Sequence, residues 1–409
     1  MDLKNLDKWA KIKGIKVLGT GDFTHPEWFK CLKKELEPAE AGLFKLKGSD
    51  SPTRFILTAE ISCIYSKNLP AACLSGRQGR QGNRVRKIHI IIFAPSFETV
   101  EKINTQLSWI GNLKSDGRPI LGLDAKELAK IVLNASSDCL VVPAHIWTPW
   151  FSMFGSKSGF DSIEECFEEY SKYIYAAETG LSSDPAMNWR LSALDKITLI
   201  SNSDAHSGPK LGREANVFDT EMSYQGIVQA IKSKDNKKFL YTIEFFPEEG
   251  KYHYDGHRTC EIRLSPAESK KYNNICPSCG KPLTIGVLNR VEKLADRPEG
   301  FKPENLIPFR SLIPLEEIIA EAKGKLPGTK EVLKEYNNLI EKIGSEFKIL
   351  LDSSKEELEK VASPEIIEGI IRTREGRVYI EPGFDGVYGK VKIFSKGEQK
   401  KISKQKTLF

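Results

Sequence analysis

Apolar and polar positions divide the chain into two textures. From residue 1 to 245, short apolar runs alternate with amphipathic stretches. The runs are KVLG (16–19), RFILTA (54–59), IHIIIFA (88–94), CLVVPA (139–144), YIYAAE (173–178) and ITLIS (197–201). Between them lie helical patterns such as DAKELAKIVLNA (124–135) and SIEECFEEYSKY (162–173). In the second, Ile163, Cys166, Phe167 and Tyr170 share a face at helical spacing. This alternation predicts an α/β fold of parallel strands with crossover helices, as an open sheet or a barrel. From 246 to 300 the chain turns polar, with His and Cys between short turns. From 301 to 409 it is mainly helical and rich in Lys and Glu, ending in a β-hairpin pattern (376–394) whose turns are marked by Pro-Gly and Asp-Gly. The expected units are therefore 1–245, 246–300 and 301–409, and no repeat of fixed period runs through them.

Bulk properties narrow the class. With 409 residues, 40% hydrophobic and 28% charged, the chain fits a globular protein of two or three domains. No run approaches the roughly 18 apolar residues of a membrane helix, and the opening MDLKNLDKWAKIKG lacks the apolar core of a signal peptide. A cytoplasmic location is expected, with no membrane partner. The 8 cysteines then point to metal binding and buried thiols before disulfides. The net charge of +6 is mild, but segment 77–87 (RQGRQGNRVRK) is basic with no acid. No G-x-x-x-x-G-K-[ST] phosphate loop occurs, which argues against a nucleotide-driven motor such as a helicase and against a nucleotide cofactor.

Candidate chemistry sits where the apolar runs end. Asp22 follows KVLGTG, Glu60 follows RFILTA, His145 follows CLVVPA, Glu178 follows YIYAA, and Asp204 and His206 follow ITLISNS. Ligands gather at strand ends of this kind in barrels and open sheets alike. His89 differs, since it opens its run; an edge or reversed strand would still aim it inward. Mixed His, Asp and Glu donors suit divalent zinc, manganese or related ions. So many donors suit two or more ions, the arrangement that clamps both oxygens of a phosphoryl displacement.

The series TGD (20–22), TAEIS (58–62), KIHIIIF (87–93), VPAHIW (142–147), AAETG (176–180) and SNSDAHS (201–207) resembles the successive motifs of the polymerase-and-histidinol-phosphatase (PHP) domain. With the downstream Cys/His module, the chain is similar to the endonuclease Q family within that group. The resemblance implies a distorted βα barrel with two or three divalent ions (Zn, Mn or Mg). It implies that Asp22, Glu60, His89, His145, Glu178, Asp204 and His206 are metal ligands, with Asp204, His206 and Glu60 carrying the catalysis. Asp22 stands where relatives have a TDH triplet, and His25, three residues on, is the alternative donor. The implied reaction is hydrolysis of DNA on the 5′ side of hypoxanthine, uracil or an abasic site. The alternatives are a PHP phosphatase or exonuclease, or an inactive DNA-binding relative. One departure stands out: the family opens with an H-x-H strand, and this chain has no H-x-H. It begins on what resembles the first helix (LKNLDKWAKIKG). A native start roughly 15–25 residues earlier, a strand plus loop, is expected; without that strand the chain should be weak or inactive as a nuclease.

His257, Cys260, Cys276 and Cys279 give H-x2-C-x15-C-x2-C, the spacing of a structural zinc whose binding orders a module too polar to fold alone. His253 is the alternative fourth ligand. For DNA, Arg77, Arg80, Arg84 and Arg86 are the expected phosphate contacts. The aromatic segment HIWTPWFSMFG (145–155), with Trp147 and Trp150, is the expected wall for a flipped base. Arg190 and Arg213 are expected near the metal face.

Overall fold

The computed structural model describes residues 2–67, 84–115, 117–395 and 398. Two long strands, Arg54–Lys67 and Arg84–Ala94, form its spine. They pair antiparallel from Leu57 opposite Ala94 to Lys67 opposite Arg84. Both faces of Arg54–Lys67 are covered over most of its length, which explains why the sequence shows a near-continuous apolar run there. Leu140–Pro143 pairs antiparallel with the other side of Arg84–Ala94. Val17–Gly19 and Ile120–Leu121 add to Arg54–Lys67 in parallel, and Leu36–Pro38 and Phe44–Leu46 complete a seven-stranded sheet.

This departs from the expected all-parallel arrangement. A parallel neighbour needs a crossover of a dozen or more residues, usually a helix. The stretch between Lys67 and Arg84 (NLPAACLSGRQGRQGN) is broken by Pro70, Gly76, Gly79 and Gly82 and carries no amphipathic helical pattern. The two strands accordingly run in opposite directions, and the mixed α/β expectation holds. Among the described residues the strands form five sheets, none closing on itself.

The helices follow their sequence signals. Asp124 caps Ala125–Ala135 through the Lys126 N–H, and Ser96 caps Phe97–Ser108 through Thr99. The pattern over 162–173 is interrupted. A helix covers Ile163–Phe167, and a tighter 3-10 turn follows from Glu168, whose φ is +48°. At this break Lys67 and Lys126 hold the Glu168 carboxylate at 2.7 and 2.9 Å.

Residues before 245 and beyond 300 share a sheet. Phe239–Glu244 pairs with Ala215–Phe218 on one side and with Phe309–Ser311 on the other. Beyond it, helices Leu315–Ala322, Lys330–Ile343 and Pro364–Arg374 pack Ile318, Ile319, Val332, Leu339, Ile366 and Ile370 into a second core that also takes in Ile243 and Phe246. Tyr379–Glu381 and Lys390–Lys392 form an antiparallel pair near the end of the described chain. No described helix is long and apolar enough to cross a membrane.

A buried ion pair ties the first helix, Leu3–Lys13, to the C-terminal helices. Lys13 Nζ lies 2.6 Å from Glu346 Oε2, with both side chains 5% exposed. Glu346 also accepts from the Tyr336 hydroxyl at 2.6 Å and the Leu315 N–H at 3.1 Å. Removing one member of such a pair strands the other charge. Lys13→Met should therefore destabilise the protein by about 3–5 kcal/mol, and adding Glu346→Gln should restore much of it. Denaturant unfolding of the single and double variants measures both effects; an unchanged midpoint for Lys13→Met would contradict the role given to the pair.

Candidate metal centre

Register places the first two donors. Ser62 stands opposite His89 across the long antiparallel pair, so these side chains share a face. Glu60, two residues before Ser62, shares that face too, which makes Glu60 and His89 diagonal neighbours. His89 points inward because its strand is reversed, the condition under which its position at the start of the run makes sense. His145 arrives from Leu140–Pro143, whose Pro143 lies opposite Ile90; the Ala144 N–H also donates to the His89 carbonyl at 3.0 Å.

The turn carrying His145 is clamped to the next strand. Glu178 accepts from the His145 N–H through Oε2 at 2.8 Å, and its carbonyl accepts from the Ile146 N–H at 3.1 Å. Gly180, with φ +62°, makes room for this approach: a Cβ there would stand 2.4 Å from the His145 Cβ. Three candidate donors, Asp22, His145 and Asp204, have φ of +45°, +30° and +42°. Left-handed backbone is uncommon outside glycine and concentrates at functional sites.

Glu60, His89 and His145 converge so that one donor atom from each lies within 4.8 Å of the others. His89 Nδ1 is 3.0 Å from His145 Nε2, and Glu60 Oε1 is 3.1 Å from the first and 3.3 Å from the second. A tetrahedral ion with bonds of about 2.0–2.1 Å would set its ligand atoms about 3.3 Å apart. Glu60 Oε1 is buried, and no well-directed hydrogen bond reaches it. Two imidazole nitrogens crowded around a carboxylate oxygen of this kind make a three-donor set that fits a divalent cation. Behind them, His145 Nδ1 contacts the Thr148 hydroxyl at 3.1 Å, which fixes the ring, and the Phe151 ring packs on His89 at 4.8 Å.

The electrostatics agree with a cation site. Burial alone would raise the Glu60 carboxyl, yet His145, His89 and Arg118 hold it well below the ordinary carboxylate range. Burial lowers His89. It also opposes protonation of His145, but Glu60 and Glu178 outweigh it and raise that ring. Glu178 is pushed up to about 7, first by burial and then by the charge of Glu60, with His145 and Asn202 opposing.

The other expected donors stand around this core at different removes. Asp22 is raised by burial and by Glu60, and it also feels Arg118 and His206. Glu178 uses Oε2 on the His145 amide and Oε1 on the Asn202 side chain at 2.8 Å; here it supports the His145 turn. Asp204 lies on the exposed rim, and His206 Nδ1 contacts the Asp204 carbonyl at 3.0 Å. His25 caps helix Pro26–Glu35, its Nδ1 accepting from the Trp28 N–H. Arg118 was not foreseen. Its Nη1 lies 2.7 Å from Glu60 Oε2 and 3.9 Å from Asp204 Oδ1. A single arginine in a polar loop has no sequence signal that separates it from a solvated one.

Several expected DNA contacts need correction. Arg86 is 2% exposed; its guanidinium stacks 4.0 Å from the Phe160 centroid and bonds to the Gly159 carbonyl, so it cannot reach a phosphate. Trp147 is 1% exposed, donates to Asn188 Oδ1 at 2.7 Å and packs on Phe154. It is core. Arg190 is buried as a strut, joined to Glu292 and the Arg297 carbonyl. Arg213 holds the metal-side loop through the carbonyls of Ser203 and Asp204 at 2.9 and 3.3 Å. Arg84 is exposed, and Trp150 is 51% exposed with Lys87 Nζ 5.3 Å from its ring. Arg77 and Arg80 lie outside the described residues.

A second donor group forms in the polar segment. The pair Asp255–His257 and Ile262–Leu264, with the turn Arg258–Cys260, supplies His257 and Cys260. A knuckle closed by the Cys276 N–H to the Lys281 carbonyl supplies Cys276 and Cys279. All four donor atoms lie within 4.8 Å of one another, and Cys279 Sγ is 3.5 Å from His257 Nδ1. One nitrogen and three sulfurs at this spacing suit a closed tetrahedral ion. His253, the alternative, lies apart from the group: it is buried against Tyr254, and burial pushes it down to about 4.

Comparison with known proteins follows the same outline. Residues 314–377 match the family model described as MJ0043 C-terminal domain. The uncharacterized protein MJ0043 of Methanocaldococcus jannaschii is 37% identical over 257 residues, which is 60% of this chain and 31% of that protein. This chain therefore spans less than a third of that relative's length. The uncharacterized protein YqxK of Bacillus subtilis (strain 168) is 30% identical over 391 residues, 93% of this chain and 89% of that protein. Among solved structures, the lesion-specific endonuclease PfuEndoQ from Pyrococcus furiosus superposes with a TM-score of 0.82 at 30% identity, covering 97% of this chain and 93% of that one. An endonuclease Q complex with a 27-mer duplex carrying an abasic lesion at the active site gives 0.80 at 30% identity, covering 97% and 92%. The chain belongs to the endonuclease Q family.

Proposed function

We propose that this protein is a metal-dependent DNA repair endonuclease that hydrolyses the phosphodiester on the 5′ side of a damaged nucleotide: hypoxanthine, uracil or an abasic site. The observation that carries the reading is the convergence of Glu60, His89 and His145 around one point, in a chain that aligns nearly end to end with lesion-specific endonucleases. We assign the site to the PHP type, and read the sheets around it as that family's distorted barrel.

In this reading Glu60, His89 and His145 hold the first ion, and Asp22, Asp204 and His206 complete a centre of two or three ions. Glu178 holds the His145 turn in place and is a further donor if Asn202 releases it. A divalent ion supplies Lewis acidity toward the phosphodiester. The chain's own residues do the rest. Thr148 and Glu178 orient His145, and Phe151 walls off His89 from water. Trp150, exposed beside Lys87, offers a stacking face next to a phosphate contact. The His257, Cys260, Cys276 and Cys279 group is assigned a structural zinc.

The test is incubation with labelled duplexes carrying one uracil, hypoxanthine or abasic site, in Mn²⁺, Mg²⁺ or Zn²⁺. A single nick 5′ to the lesion is expected, lost on chelation and reduced at least about 100-fold in His145→Ala or Glu60→Gln. Equal cutting of undamaged duplex, or no cutting of any lesion in any metal with or without the upstream strand expected from the sequence, would defeat the reading. For the second group, Cys276→Ser with Cys279→Ser should remove one equivalent of bound zinc by elemental analysis and lower the thermal midpoint, because metal binding there is folding free energy. An unchanged zinc content would show that the cluster holds no such ion.

A further inference from the structure

Arg118 is the charged group that the proposed chemistry leaves without a part. Its position is set by the site's own sheet. The Pro119 carbonyl accepts the Ser62 N–H at 3.0 Å, and Ile120–Leu121 pairs in parallel with Ser62–Cys63, which begins two residues after Glu60. Proline at 119 keeps the backbone of Arg118 out of the helical region. The guanidinium is therefore delivered to the donor cluster from a fixed base, and it is 30% exposed. Its Nη1 stands between two candidate ligands, 2.7 Å from Glu60 Oε2 and 3.9 Å from Asp204 Oδ1.

An ion bridging Glu60 and Asp204 would need the same oxygens and the same space. Two cations cannot share them: their repulsion at such separations is large in a partly desolvated site. Resting on the metal-centre reading above, we propose that Arg118 is a displaceable counter-charge of this centre. It neutralises Glu60 and Asp204 when no ion bridges them, and competes directly with the divalent ion that does. His89 and His145 contact Glu60 Oε1, whereas the guanidinium contacts the other oxygen, Oε2. The first ion therefore binds without displacing Arg118, and the competition falls on the ion that uses Oε2 and Asp204. Arg118 thereby sets the metal concentration at which the centre fills.

The experiment is Mn²⁺ binding without DNA, followed by calorimetry and by the loss of free Mn²⁺ signal in electron paramagnetic resonance, on the full chain with its Cys/His cluster zinc-loaded. Wild type, Arg118→Gln, Arg118→Lys and Glu60→Gln are compared, with circular dichroism as the check on folding. Arg118→Gln should tighten the weaker Mn²⁺ step at least about tenfold and leave the tighter step within about twofold. Arg118→Lys, which keeps the charge, should stay near wild type, and Glu60→Gln should weaken both steps. An Arg118→Gln protein whose weaker step is unchanged or weaker would overturn the proposal while leaving the metal centre standing. Failure of wild type and Arg118→Gln alike to bind Mn²⁺ would instead remove the metal centre and this role together.

Discussion

The antiparallel pairing of Arg54–Lys67 with Arg84–Ala94 is the constraint on which the site depends. It puts Ser62 opposite His89 and so sets Glu60 and His89 on one face. A slip of one residue would turn either side chain to the opposite face. The pairing is held by the apolar residues of the other face, Phe55, Leu57, Ala59, Ile61 and Cys63, all buried in the main core. Burial of one face thus specifies the chemistry of the other. Leu140–Pro143 extends the same logic, since its pairing with Ile90 delivers His145 to the pair.

The resulting cluster is electrostatically demanding. Glu178, Glu60, Asp22 and Asp204 gather in a site where burial raises the carboxyls of Asp22 and Glu178. At Glu60 the charges of His145, His89 and Arg118 outweigh the effect of burial. Left-handed backbone at Asp22, His145 and Asp204 adds a local cost. Such arrangements persist where the surroundings over-determine them. Here the Glu178 clamp, the Gly180 approach and Arg213 on the Ser203 and Asp204 carbonyls do so.

The rest of the chain braces this arrangement. Lys13 and Glu346 lock the first helix to the C-terminal core, and Arg190 and Arg297 fasten the segment after Glu178 to the helix Val287–Leu294 and the residues that follow it. The Cys/His group is braced from outside as well. Tyr254 bridges to Phe384, and the Arg258 N–H donates to Asp385 at 2.6 Å. Arginines that look suited to DNA from composition alone are in two cases, Arg86 and Arg190, structural struts.

Residue order alone marked Glu60 and His145 at the ends of apolar runs, the H-x2-C-x15-C-x2-C group and helices such as Ala125–Ala135, because each is a local pattern of spacing and periodicity. It left strand direction open: His89 opens its run rather than closing it because its strand runs antiparallel to Arg54–Lys67. Nor could it separate Arg86 and Trp147, which are buried, from Arg84 and Trp150, which are exposed. Arg84 and Arg86 share a strand face by alternation, and only the packing of Phe160 and the Gly159 carbonyl against Arg86 buries one and leaves the other in water. Arg118 belongs wholly to the tertiary level. Nothing near it in the chain carries its partners, and only the pairing of Ile120–Leu121 beside Glu60 brings its charge into the centre.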